Sequence, residues 1–176
     1  MRHGARESLR YVINPGAGAR QTEKEAYRHN MCQGKKTLRI KYHADIPRLE
    51  KIVIGDWIDL RSAVDVRMHQ GDIAYIDLGI SVELPVGYEA HIAPRSSTIR
   101  NYGIICGNSF GIIDNSFRGN NDIWKFCAYA IRDTEICKGD RICQFRIVRN
   151  QEAIEFVEVE HLDGPDRGGY GSTGKR

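Results

Sequence analysis

Short runs of alternating apolar and polar residues, each closed by a turn, constrain the fold of this chain more than any other feature. The runs with the period of two that is typical of β-strands are 38–42, 79–84, 88–92 and 157–160. Turn sequences at 85–87 and 138–140 separate such runs. One short helix is predicted at 98–102, and no apolar period of 3.6 persists beyond about ten residues. The pattern therefore predicts an all-β domain, a jelly-roll-like sandwich or barrel.

Composition divides the chain of 176 residues into three parts. Residues 1–36 are polar and contain the flexible stretch NPGAGA at 14–19, which predicts an N-terminal extension that can be disordered. Residues 37–163 carry the strand-like runs and predict a single β domain. Residues 164–176 are rich in glycine and predict a flexible C-terminal arm.

Charge and cysteine usage exclude several classes of protein. The net charge is +3 and the basic residues form no long run, which argues against nucleic acid as the primary partner. The five cysteines include no CxxC pair, which predicts reduced thiols rather than a disulfide framework. The chain contains no membrane-length apolar stretch and no apolar signal core near its N-terminus. We therefore expect a cytoplasmic protein without a membrane partner.

Two segments place polar side chains where a strand begins or ends. Asp59 lies at a predicted strand start, where its carboxylate could reach a metal or the water around it; a surface aspartate is the alternative. Arg95, Ser96 and Ser97 follow a proline that ends a strand. A guanidinium, two hydroxyls and free backbone amides together can bind phosphate, and helix capping by one of the serines is the alternative.

Three further segments combine glycine with reactive or charged groups. Asp114 lies between two apolar arms in 107–119, which predicts a tight hairpin with the aspartate on its buried side. Such a carboxylate indicates acid–base chemistry, and an ordinary turn aspartate is the alternative. Gln144 and Arg146 project to one face of the strand after the turn at 138–140. The arm from Asp166 could wrap a phosphorylated ligand.

Taken in order, these five segments resemble the five signature motifs of the trimeric dUTP diphosphatase (dUTPase) family. They read DWIDLRSA at 56–63, APRSSTI at 93–99, GNSFGIIDNSFRG at 107–119, KGDRICQFRIV at 138–148 and DRGGYGSTGKR at 166–176. The resemblance implies that the chain hydrolyses dUTP to dUMP and pyrophosphate, with Mg²⁺ and as a homotrimer with shared active sites. That activity limits uracil incorporation into DNA and supplies dUMP for thymidylate synthesis.

The resemblance also implies a role for each matching residue. Asp114 would be the catalytic base on the attacking water, Asp59 would help hold Mg²⁺ through water, and Asp140 would support the phosphate site. Asn108 would bind uracil, and the arm would close over the site. The implied substrate-binding residues are Arg95, Ser96, Ser97, Asn108, Gly111, Phe117, Gln144, Arg167, Tyr170, Gly171, Ser172 and Thr173. Phe117 stands where the family usually has tyrosine.

Two alternatives remain open at the level of sequence. The related dCTP deaminases share the fold and an Arg-Ser-Ser segment, but they use a glutamate after the third motif, and 120–130 contains none. A regulatory protein that uses the nucleotide pocket as a ligand switch is the other alternative.

Overall fold

A computed structural model of the protein describes residues 35–52 and 55–168. Within these residues the chain forms eleven short strands and one short helix. The strands are β1 Arg39–Tyr42, β2 Ile58–Arg61, β3 Val66–Met68, β4 Ile73–Asp77, β5 Ile80–Glu83, β6 Tyr88–Pro94, β7 Ile104–Cys106, β8 Gly111–Ile113, β9 Lys125–Ala130, β10 Thr134–Ile136 and β11 Arg141–Arg149. The helix, α1, spans Thr98–Tyr102 between β6 and β7.

All the strand pairs are antiparallel. The largest sheet has the order β2-β11-β6-β8, and a second sheet has the order β4-β9-β7. Two two-stranded ladders, β1-β5 and β3-β10, complete the arrangement. The longest strand, β11, pairs with β2 along one edge and with β6 along the other, so it aligns the segments that carry most polar site residues.

The core lies on the inner faces of these sheets, as alternation predicts. Its largest fully buried side chains include Trp124, Phe126 and Phe145, with isoleucines and leucines from seven of the eleven strands. The Trp124 and Phe145 rings meet edge to face, with centroids 5.3 Å apart. Removing this apolar surface from water is the main force that holds the sheets together.

Most of the predicted architecture is confirmed. The domain is all-β with a jelly-roll-like fold, the runs at 38–42, 79–84 and 88–92 form strands, and α1 spans the predicted residues. No described helix is long and apolar enough to cross a membrane. The predicted N-terminal extension falls almost entirely outside the described residues.

Two local predictions are wrong. The run at 157–160 forms no strand, because 150–168 is exposed and pairs with none of the described strands. The segment 107–119 is not a β-hairpin, because it contains one strand, β8, which pairs with β6, and 114–119 after it forms no strand. The apolar arm that follows Asp114 therefore has no strand partner.

Gly79 connects β4 to β5 where a side chain has no room. Its φ is +66°, and a Cβ would lie 2.9 Å from the Ala63 Cβ. We expect Gly79→Ala to lower the free energy of unfolding by about 1–3 kcal/mol, measured by chemical denaturation. Gly71→Ala is the matched control, because Gly71 also has positive φ but a Cβ there meets nothing within 4 Å. An equal or larger loss in the control would contradict the steric explanation.

Candidate active site

Cross-strand pairing collects the first polar cluster on the outer face of the largest sheet. Asp59 on β2 is opposite Gln144 on β11, and Gln144 is opposite Ala93 on β6. Arg95 follows the end of β6, and its Nε lies 2.6 Å from the Asp59 Oδ1. Arg141 Nη1 lies 3.1 Å from the other oxygen of the same carboxylate. We call Asp59, Arg95, Arg141 and Gln144 the cationic cluster, since two guanidinium groups surround one carboxylate.

A buried threonine holds the backbone of Arg95 in place. The Thr98 hydroxyl accepts a hydrogen bond from the Arg95 backbone amide and donates one to the carbonyl of Ile142, each 2.9 Å long. Thr98 is fully buried, so these bonds fix the turn against β11. Ser97 is the N-cap of α1 but makes no capping bond through its side chain. The predicted alternative of capping by Ser97 is therefore wrong, and its hydroxyl is not engaged in the cap.

Asp140 lies beside the cationic cluster in the turn before β11. Its carboxylate accepts a hydrogen bond from the Cys137 backbone amide at 2.9 Å, and Tyr102 lies near it. Burial raises the pKa of Tyr102, and the nearby charge of Asp140 raises it further, while Arg95 and Arg141 oppose the shift. The charges of Asp140, Arg95 and Arg141 thus all act on Tyr102, and the supporting role of Asp140 stays a prediction.

Asp114 follows β8 and lies in an exposed turn. Its carboxylate accepts hydrogen bonds from the backbone amide and the hydroxyl of Ser116. The Ser116 hydroxyl and then its amide hold the pKa of Asp114 below the ordinary value. The prediction that this aspartate is on a buried side is wrong, because the chain leaves the sheet edge here. Asn115 anchors the turn by donating to the carbonyl oxygens of Leu84 and Pro85 at 2.9 and 3.2 Å.

An open groove of about 500 Å³ lies beside Asp114, within the usual range for small-molecule sites. Phe117 lines it with a half-exposed ring, and Lys125 contributes a cation. The remaining lining residues are Ile112, Ile113, Ser116, Ile123 and Trp124. A flat aromatic ring and a carboxylate therefore line the same groove.

Asn108 lies in the loop between β7 and β8, and Gly111 is the first residue of β8. Asn108 is exposed, and its Oδ1 lies 3.1 Å from the Sγ of Cys106. Ser109 has φ +69°, the only non-glycine residue with positive φ among the described residues. Such conformations concentrate at ligand sites. A Cβ on Gly111 would lie 3.3 Å from the Ile92 Cβ, so a glycine allows β8 to pack closely on β6.

The described residues contain no group of three or more His, Cys, Asp or Glu side chains that could enclose a metal. Both Asp59 oxygens already face guanidinium groups, yet a carboxylate has about four acceptor positions, so it can also bind a metal-bound water. Mg²⁺ at nucleotide sites usually keeps several waters and uses one or two carboxylates together with phosphate oxygens. The donor set therefore fits Mg²⁺ held through water by Asp59.

The cationic cluster and Asp114 lie at opposite corners of one sheet face. On β6, Ala93 lies opposite Gln144. The pairing of β6 with β8 matches Ala90 with Ile113, so the next residues along, Glu89 and Asp114, lie opposite each other. Asp59 and Asp114 are thus three strand spacings apart across the sheet and four residues apart along it. At standard spacings this is about 20 Å. The structure does not bring these two predicted groups together within one chain.

The predicted residues of the C-terminal arm are largely outside this description. Tyr170, Gly171, Ser172 and Thr173 lie outside the described residues, and Arg167 is exposed near their end. Sequence reasoning also missed Thr98, Tyr102 and Arg141, whose contacts depend on tertiary pairing. Of these three, Arg141 alone had a signal in the sequence. It directly follows the turn at 138–140 and begins an alternating run.

Solved structures of dUTPases share this fold. A dUTPase of Staphylococcus bacteriophage 80alpha, solved with dUpNHpp, matches 80% of this chain and 99% of its own, with a TM-score of 0.66 and 20% identity. A dUTPase of phage phi11 of S. aureus, which coordinates a structural Mg(II) ion, matches 73% and 99% of the two chains, with a TM-score of 0.63 and 18% identity.

Sequence similarity shows family membership in addition to a shared fold. Residues 58–174 match the dUTPase family. The SPbeta prophage-derived deoxyuridine 5'-triphosphate nucleotidohydrolase of Bacillus subtilis is 52% identical over 140 residues, which cover 79% of this chain and 99% of that protein. The chain belongs to the dUTPase family.

The hydrogen bond from Ser116 to Asp114 can be tested by titration. The hydroxyl stabilises the ionised carboxylate, so we expect Ser116→Ala to raise the pKa of Asp114 toward its ordinary value. Carboxyl ¹³C chemical shifts followed over an acid titration measure this. Asp133 is the internal control, because the backbone amide of Gln70 is the first cause of its lowered pKa. An unchanged Asp114 titration would show that the hydroxyl does not stabilise the carboxylate.

Proposed function

We propose that the protein hydrolyses dUTP to dUMP and pyrophosphate with Mg²⁺, as a homotrimer whose active sites are shared between subunits. Membership of the dUTPase family supports the reaction. The separation of Asp114 from the cationic cluster on one sheet face is the observation that supports a site shared between subunits. The reaction would limit uracil in DNA and supply dUMP for thymidylate synthesis.

The groove beside Asp114 is the proposed nucleoside site. The flat face of Phe117 is exposed enough to pack under deoxyribose. Asn108 and the backbone next to Gly111 would pair with the uracil edge.

The cationic cluster is the proposed phosphate site. Arg95 and Arg141 exceed the single negative charge of Asp59, so the cluster keeps a net positive charge that suits a triphosphate. The Ser96 and Ser97 hydroxyls and the Gln144 amide would bind phosphate oxygens beside it. Asp140 would support the site through its contact with Tyr102.

Asp114 is the proposed general base. Its lowered pKa keeps it ionised at neutral pH, so it can accept the proton of a water molecule aligned with the α-phosphorus. The Ser116 bonds leave acceptor positions on the carboxylate and fix its orientation. When bound, Mg²⁺ would neutralise phosphate charge, with Asp59 holding it through water. The water oxygen would bond to the α-phosphorus while the bond from the α-phosphorus to the oxygen bridging to the β-phosphorus breaks, so that pyrophosphate leaves with that oxygen and dUMP remains.

A base must lie within hydrogen-bond reach of the water that it deprotonates. A separation of about 20 Å within one chain is too large for Asp114 to act on a phosphate held by that chain's own cationic cluster. A second subunit that brings its cluster to the groove removes this difficulty. The site is therefore incomplete without another copy of the chain.

The extended segment 150–168 supports assembly independently. It exposes apolar side chains that no described residue covers, with Phe156 at 89% and Leu162 at 86% exposure. Exposed apolar groups of this size mark a protein interface. The segment would lie on a neighbouring subunit and carry the arm, with Arg167, Tyr170, Gly171, Ser172 and Thr173, toward a shared site. The arm would close over the nucleotide.

The free thiols of Cys106, Cys127, Cys137 and Cys143 agree with a reducing compartment, and we propose a cytoplasmic location.

A substrate panel tests the reaction. We expect pyrophosphate release from dUTP with Mg²⁺ and far less from dTTP, dCTP or UTP, because base and sugar contacts discriminate among them. Asp114→Asn should retain dUTP binding and lose hydrolysis by about 10²-fold or more, since it cannot accept the proton. Pyrophosphate assays and isothermal titration measure both. Ammonia release from dCTP without hydrolysis of dUTP would favour a deaminase instead.

Mixing inactive variants tests the shared site. Asp114→Asn and Arg95→Ala should each be inactive, but mixed oligomers of the two should recover about a quarter of the wild-type rate, because some sites receive both intact residues. Arg95→Ala mixed with Gln144→Ala is the matched control and should recover nothing, since both residues belong to one subunit's cluster. Equal recovery in the two mixtures, or none in verified mixed oligomers, argues against the assignment.

A further inference from the structure

We propose that Cys106 is a positioning residue for base selection: its thiol holds the amide oxygen of Asn108, so that the amide nitrogen faces the base. This inference rests on the proposed function, because it assumes that Asn108 binds the base of a deoxynucleotide. It concerns how one side chain of the loop is oriented rather than which residues touch the substrate.

The geometry connects the two side chains directly. Cys106 is the last residue of β7 and is partly buried, whereas Asn108 is exposed two residues later. The Cys106 Sγ lies 3.1 Å from the Asn108 Oδ1. Among the described residues this thiol is the one hydrogen-bond partner of the Asn108 side chain. The orientation of the amide therefore depends on a single contact.

The surrounding backbone keeps this contact in place. The Gly107 amide donates to the Cys127 carbonyl at 2.9 Å, which ties the loop to β9. The Ser109 amide donates to the Cys106 carbonyl at 3.2 Å, and the Phe110 amide donates to the Asn108 carbonyl at 2.9 Å. These bonds fix where the Asn108 Cα lies but not which end of its amide points outward.

The thiol resolves that ambiguity because of its chemistry. The amide oxygen can only accept a hydrogen bond, and the amide nitrogen can only donate. Burial raises the pKa of the Cys106 thiol, so the sulfur keeps its proton at neutral pH and acts as the donor. With Oδ1 held by S–H, the Nδ2 hydrogens are directed away from the thiol toward the exposed side of the loop.

This orientation distinguishes uracil from cytosine. The two bases differ at position 4, where uracil carries a carbonyl oxygen and cytosine an amino group, and at N3, which donates a hydrogen bond in uracil and accepts one in cytosine. An outward amide N–H₂ pairs with the carbonyl and meets the amino group donor to donor. A flipped amide would instead accept from cytosine. Mismatched donors at a binding site give large discrimination, so a flip would reduce selectivity.

The experiment measures the ratio of kcat/KM for dUTP to kcat/KM for dCTP in three variants. Cys106→Ala and Cys106→Val remove the donor, and Val keeps the side chain's bulk. Cys106→Ser keeps a hydroxyl donor of similar size. Cys137→Ala, at an exposed thiol in the turn before β11, is the matched control. Thermal unfolding of each variant shows whether it is folded.

We expect the ratio to fall about five- to tenfold in Cys106→Ala and Cys106→Val, the effect of about one hydrogen bond. Cys106→Ser should restore the wild-type ratio, and Cys137→Ala should not change it. If Cys106→Ala does not fold, the comparison of Val with Ser decides. A ratio that is the same in Val and Ser would overturn the inference and indicate that the side chain only fills space. Failure of the proposed function is separate, because the wild-type protein would then release no pyrophosphate from dUTP.

Discussion

The pairing of β11 with β2 and β6 is the interaction on which the rest of the structure depends. Its inner residues Cys143 and Phe145 are fully buried in the core. Its outer residue Gln144 lies between Asp59 and the end of β6. Because side chains alternate along a strand, one register both packs the core and aligns the polar site residues. A shift by one residue would exchange the core face with the site face. Core packing therefore also determines the geometry of the cationic cluster.

The same register separates the two halves of the candidate site. A sheet has fixed spacings between strands and between residues, so no side-chain rearrangement closes about 20 Å between Asp59 and Asp114. In the proposed function, association with another copy brings the carboxylate base to the phosphate cluster. The exposed apolar side chains of 150–168 are the proposed interface. On this proposal catalysis and assembly are coupled, because one chain contains both half-sites but holds them too far apart to act together.

The sequence predicted elements whose pattern is local, and it failed where partners are distant. Apolar periodicity and turn residues were enough to predict β1, β5, β6 and α1, because each of these elements is defined by the residues within it and at its ends. The run at 157–160 has the same alternation but no partner within the described chain, and a strand needs a partner. Asp114 was expected to be buried because the apolar residues around it suggested one hairpin, whereas only β8 before it is a strand and 114–119 forms none. Thr98 and Arg141 gave little local signal, since their partners lie 44 and 82 residues away in sequence.

For the proposed phosphate site, the electrostatics of the cationic cluster explain how it can be formed before its ligand binds. Arg95 and Asp59 are each about a quarter exposed, and ion pairs with this degree of solvent contact contribute on the order of 1 kcal/mol or less. Asp59 thus orients Arg95 without holding it so tightly that a triphosphate could not compete. Arg141 shares the same carboxylate at 3.1 Å, so the ligand meets an excess of positive charge. The Thr98 bonds hold the Arg95 backbone from the buried side, which leaves only the side chain to move when phosphate binds.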